Sequence, residues 1–172
     1  MNRFSLTMLL VCIVSHCFSQ TRESDQLKDM INISVEKHLL SKLKGIEEGG
    51  ISKEYYGGQF LFYRDNFPTD FKFNDSIVRK YNVSFFKVSN FSRKKLKEGI
   101  GIFELHFICI NKNELLIDIS NVHLTKKGKE ISIARDMEGG FVIYKFRYSC
   151  EKQEWKLVGI RPGYSDVFTM IE

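Results

Sequence analysis

The sequence predicts an α+β domain in which one N-terminal amphipathic helix packs on a curved antiparallel sheet. Three observations carry this. Leu27, Ile31, Val35, Leu39 and Leu43 recur every four residues, the spacing of a single helix face. Residues 141–160, FVIYKFRYSCEKQEWKLVGI, alternate with period two on both arms of a hairpin, placing Val142, Tyr144, Phe146 and Tyr148 on one face. Residues 102–110 and 114–125 form a second, more apolar hairpin suited to the middle of a sheet.

Taking the elements in order, Ser24 can cap the helix and Asp25 suits the positive end of its dipole. Lys42, Lys44 and Gly45 then supply a cationic last turn and a left-handed stop. Met30 and Leu40 flank the stripe, and His38 on its border reads as structural. Residues 47–50 and the pair Gly57-Gly58 are turn signals around 51–56. QFLFYR at 59–64 is a short strand, residues 65–74 with Pro68 a loop, and Asn74 or Asp75 caps a short helix through Lys80 that ends near Asn82. VSFFKV at 83–88 is another strand.

Ser92 caps the brief helix RKKLKE, which stops at Gly99. In the second hairpin Asn111, Lys112 and Asn113 make the turn. Its strands are apolar on both faces over 105–110 and 115–119, apart from His106 and Asp118, so the helix should cover one side. Residues 130–134 add a strand. Gly139-Gly140 then turns the chain into the last hairpin, where a turn at Lys152-Gln153 would set Tyr148 opposite Leu157 and Cys150 opposite Trp155. The tail from Arg161, with Pro162-Gly163, either closes an edge or stays loose.

A chain of 172 residues, 43% hydrophobic, suits one domain with a genuine core. Residues 1–19 stand apart from it. Arg3 followed by the apolar run 4–14 reads as a signal peptide, too short to span a bilayer, with cleavage after Ser19 and a mature domain over 20–172. The protein is thus expected in the periplasm or secreted. Lipid attachment at Cys17 is the competing reading, disfavoured by the bulky His16 before it. Without Arg3 the balance is 25 basic against 21 acidic residues, too mild a charge for a nucleic-acid binder. No later segment has the length of a membrane span.

Cys12 and Cys17 fall in the signal region, leaving Cys109 and Cys150 as a candidate disulfide in an oxidising compartment. The sequence contains no nucleophile elbow, phosphate-binding glycine loop, calcium loop or zinc spacing, so no cofactor or metal is expected. The residues that invite chemistry are Glu104, His106, Asp118, Asn121 and His123. With the hairpin centred between Lys112 and Asn113, Glu104 lies opposite Asn121 and diagonal to His123, an acid and base pair for a pocket or a plain structural hydrogen bond. His106 and His123 would be about 13 Å apart along the ladder, too far for a shared metal. Arg93, Lys94, Lys95 and Lys97, with Lys126, Lys127 and Lys129, could form a surface for a phosphate, an acidic glycan or a lipid headgroup, or a solvated charge run. Asn32, Asn74, Asn82 and Asn90 each open an Asn-x-Ser pattern, of little weight beside a signal peptide of bacterial style.

NFPTDFKFNDSI at 66–77 and YSCEKQEWKLV at 148–158 resemble segments of small exported proteins of gut-type Gram-negative bacteria, a group that carries no activity to transfer. The layout of one helix followed by an antiparallel sheet is similar to the cystatin-like and NTF2-like cones. The expected function is a noncatalytic domain that binds a protein or an envelope component. The alternatives are a pocket acting on a small molecule through Glu104, His106 or His123, and an exported inhibitor or immunity protein.

Overall fold

The computed structural model describes residues 3–50, 58–135, 140–163 and 165–171, with side chains from Ser24 onward. Residues 51–57 and Gly139, where two turn signals fall, lie outside them. The elements are α1 (Arg3–Glu47), β1 (Phe60–Phe62), α2 (Asp75–Tyr81), β2 (Val83–Phe85), α3 (Arg93–Glu98), β3 (Ile100–Asn111), β4 (Glu114–Lys127), β5 (Glu130–Arg135), β6 (Phe141–Ser149), β7 (Glu154–Pro162) and β8 (Thr169–Met170). A 3₁₀ turn at Val88–Asn90 precedes α3. The fold is α+β, built on one eight-stranded sheet in the order β2-β1-β3-β4-β6-β7-β8, with β5 paired to β4 beside β6.

The sheet is mixed rather than wholly antiparallel, because β1 runs parallel to both β2 and β3. The β1-to-β2 connection contains α2, the crossover that parallel neighbours need. The tail closes the far edge as β8 on β7.

Helix α1 buries Met30, Ile31, Val35 and Leu39 against Phe103, Leu105, Ile117, Ile119, Tyr144 and Phe146. It is continuous through Ser24 and passes Gly45 to end at Glu47, so neither expected terminus is used. The left-handed stop falls instead at Gly49, φ +76°, which lets Ile46 join the core. Leu40 stands off the stripe and is exposed. Buried Asn32 ties α1 to α2: its amide donates to Lys28 O at 3.0 Å, and its Oδ1 accepts from Asn74 N at 3.0 Å. Asn74 is the N-cap of α2 by position, yet its side chain makes no capping bond.

The 66–77 segment supplies core. Phe67, Phe71, Phe73 and Ile77 are buried, and the three rings pack edge-on or tilted around Phe62 and Phe85 at centroid distances of 4.7–6.4 Å, geometries that suit the aromatic quadrupole. Arg64 closes this loop by donating to the carbonyls of Pro68, Thr69 and Phe71.

Two hairpin registers differ from expectation. Between β6 and β7 the turn spans four residues, 150–153, and pairs Tyr148 with Trp155 and Phe146 with Leu157. That is a shift of two, so Tyr144 and Phe146 still face α1. An irregularity between Lys145 and Phe146 then brings Ile160 rather than Gly159 to the helix side. Between β3 and β4 the turn pairs Asn111 with Glu114 as expected, but a bulge at Ile110 slips the rest by one. His106 therefore meets Asp118, Glu104 meets Ser120, Phe103 meets Asn121 and Gly101 meets His123.

A candidate anion-binding cavity on the outer face

The one-residue slip sends Glu104 and His106 to the face away from α1, and Asn121 and His123 to the other. The expected Glu104–His123 pair therefore does not form. On the helix side Phe103, Leu105, Ile117, Ile119, Tyr144 and Phe146 pack with the apolar stripe of α1.

Glu104 and His106 instead join a network that turns inward on itself. His106 Nε2 lies 3.0 Å from Glu104 Oε2 and 2.6 Å from the Arg135 guanidinium, which also stands 3.6 Å from Glu104. Asn66 Nδ2 approaches His106 Nδ1 at 3.5 Å. Beside them Ser120 donates to Asp118 Oδ1 at 3.0 Å. Burial holds the Asp118 carboxyl above its ordinary range, against the opposing pull of the Ser120 hydroxyl, His106 and Arg135. Acid, base and cation here take one another as partners, which suits a structural role better than catalysis. Arg135 was not singled out from sequence, although the period of EISIAR places it on this face.

His123 has a different role. Gly99 ends α3 at φ +99° and ψ 157°, and a Cβ there would fall 1.8 Å from His123 Nε2. The imidazole occupies the space a side chain would need, so this contact seats the end of α3 on β4. At its start, Ser92 Oγ accepts from Lys95 N–H at 3.2 Å. Leu96 is buried against Leu61, Ile100, Ile102, Val122 and Leu124. Both ends of α3 and its one buried side chain thus fix its cationic side over the sheet.

Opposite α3, β4 and β5 are joined by Gly128-Lys129 between the pair Lys127 and Glu130. Gly128 takes φ +65°, the left-handed first position a two-residue hairpin requires. Between this turn and α3 lies an open cavity of about 630 Å³, lined by Val88, Phe91, Arg93, Leu96, Lys97, Lys126 and Gly128. Phe91 stacks on Phe86 with centroids 5.6 Å apart and planes at 21°, forming an apolar wall. The two cationic segments meet here, but only in part. Arg93, Lys97 and Lys126 line the cavity, while Lys94, Lys95, Lys127 and Lys129 do not. Lys94 pairs with Glu98 at 3.9 Å on the solvent side. Among the described residues no carboxylate pairs with Arg93, Lys97 or Lys126. The apolar lining was not foreseen; the aromatic run FFKVSNF just before α3 was the signal available.

The disulfide is not formed. Cys109 and Cys150 are both free and exposed, and β4 separates β3 from β6. Two strand spacings, about 9–10 Å, exceed the reach of a disulfide. Among the described residues no group of His, Cys, Asp and Glu is arranged to hold a metal ion, and no helix is long and apolar enough to cross a membrane. Comparison of the chain with protein-family models, with curated proteins and with solved structures gave no match.

Proposed function

We propose that the chain is a noncatalytic binding domain, exported to the periplasm or secreted, that recognises an anionic component of the cell envelope in the cavity between α3 and the β4–β5 turn. One observation carries this reading. Arg93, Lys97 and Lys126 converge from two separate segments on an apolar lining, with no carboxylate partner among the described residues. Side chains of this kind complement a ligand with a phosphate or carboxylate head and an apolar body. The guanidinium forks onto the oxyanion, the ammonium groups add charge, and Phe91, Val88 and Leu96 cover the hydrocarbon.

The test is calorimetric titration with a short-chain phosphatidylglycerol below its micelle concentration, with the matching phosphatidylcholine as control. The anionic lipid is expected to bind and the zwitterionic one not. Alanine at Arg93, Lys97 and Lys126 together should abolish the heat, while alanine at Lys94, Lys95, Lys127 and Lys129 leaves it. Equal binding by the triple and the quadruple variant, or no binding by the native chain, would refute the proposal. Free phosphate binding as tightly as the lipid would locate the recognition in the headgroup alone.

A further inference from the structure

Among the described residues, the outer half of β3 lacks a neighbouring strand on one side. Strand β1 reaches only Phe103, where Tyr63 N–H donates to Phe103 O at 2.8 Å. This bond shows that the backbone polar groups of Phe103 point away from β4. By the period of the strand, those of Leu105, Phe107 and Cys109 point the same way. None of these three has a backbone partner there among the described residues.

Every residue from Phe107 to Asn111 is exposed, including Phe107 at 36%, Ile108 at 46% and Ile110 at 50%. A long apolar edge of this kind is a template for another strand, and the usual protections are lacking. No charged residue or proline interrupts 105–111, and the bulge at Ile110 comes only at the far end.

We infer that this edge pairs with the same edge of a second copy of the chain, antiparallel about a two-fold axis at Ile108. The open ladder sets this register, since outward-facing residues must meet one another. Phe107 then faces Cys109 twice over, giving four backbone hydrogen bonds that use only the exposed part of the strand. Ile108 meets Ile108 at the axis. The charge pattern fits the same register. Phe107–Asn111 brings no like charges together. The pairing is isologous and therefore closes as a dimer rather than growing into a fibre.

Sedimentation velocity on the full chain tests this, with concentration raised from roughly 1 to 100 μM, the range in which a small interface titrates. A monomer-to-dimer shift is expected. Ile108→Lys, which sets two ammonium groups against each other at the axis, should hold the chain monomeric. So should Phe107→Pro, which removes an outward N–H without touching the ladder to β4. Amide exchange distinguishes this edge from any other contact: the Phe107 and Cys109 amides should be protected in the native dimer and exchange freely in the Ile108→Lys monomer. A chain monomeric throughout overturns the inference, as does a dimer in which those two amides still exchange freely. A monomer that instead takes up an extended peptide along this edge would also overturn it, in favour of a different partner.

Discussion

His38 is a buried imidazole without hydrogen bonds, and its cost can be read from the pH dependence of folding. It is 0% exposed, edge-on to Phe103 at 4.9 Å and near Tyr144 at 6.4 Å, and both ring nitrogens are unpaired. Burial, helped by the charge of Lys42, pushes it well below the ordinary value of 6.5. The folded protein therefore holds His38 neutral, while the unfolded chain protonates it near that value. Below pH 6.5 the unfolded state binds the extra proton, so this contribution is complete above that pH and is lost as the pH falls toward the folded-state value. At about 1.4 kcal/mol per pH unit, lowering the pH to about 5 costs at most about 2 kcal/mol. His38→Leu, of similar volume, removes both the titration and the unpaired nitrogens, and unpaired buried groups cost about 1–3 kcal/mol each when left so. Urea denaturation of both chains at the two pH values gives the double difference, in which the carboxylates common to both cancel. The leucine variant should be at least as stable near neutrality and should lack part of the acid-induced loss, up to about 2 kcal/mol. Equal losses in the two chains would show that His38 is protonated or solvated in the folded state, and would refute the reasoning.

Gly99→Ala should destabilise strongly, because φ +99° with ψ 157° is essentially a glycine conformation and the new methyl meets the His123 ring. A loss above about 2 kcal/mol is expected by thermal denaturation. Adding His123→Ala should recover only the part due to the contact, and full recovery would mean that the backbone is not strained. Glu114 accepts from Lys145 at 3.0 Å and from Arg147 at 3.0 Å, and these two partners hold its carboxyl below the ordinary 4.5. Its stabilising effect is therefore present above that value and lost as the pH falls through the lower, folded one. Carbon-detected NMR titration should give Glu114 a midpoint under 4.5 that rises in Lys145→Met, and an unshifted midpoint would show the ion pairs to be absent in solution.

Local signals in the sequence were legible where the chemistry is local. Ser92 and Gly99 mark α3 to the residue, and Asn82, left-handed at φ 51°, ends α2 where expected. The face of β6 and the start of β7 also read correctly, because the register error at the turn was even; past the irregularity at Lys145–Phe146 the face of β7 inverts, and Ile160 replaces Gly159 on the helix side. Three features were not legible. The bulge at Ile110 sits in an unbroken apolar run with no glycine or proline to mark it, and that one residue decided which face Glu104 and His106 occupy. The direction of β1 leaves no trace in a three-residue strand, since parallel and antiparallel pairing have the same period. The cationic cavity needed α3 and the β4–β5 turn, some thirty residues apart, to be brought together, and neither segment reports the other. Within each segment, which cations face inward depends on the seating of Leu96 and on the alternation of β4 past Lys126.

The placement of β4 also bears on how the chain assembles. Its 14 residues pair with β3 along one side and with β6 and then β5 along the other. Two of these partners are its immediate neighbours in sequence, reached through turns of two residues each, 112–113 and 128–129. Ring closure over so few residues costs little chain entropy, whereas joining Phe62 to Phe103 encloses about forty. The β3-β4-β5 meander can therefore exist as a nucleus before β1 arrives, and the rate at which the chain folds should depend on the parallel seam rather than on the hairpins. Until that seam closes, the whole outer edge of β3 is bare, so the folding chain is most prone to pair with a stranger just before β1 docks.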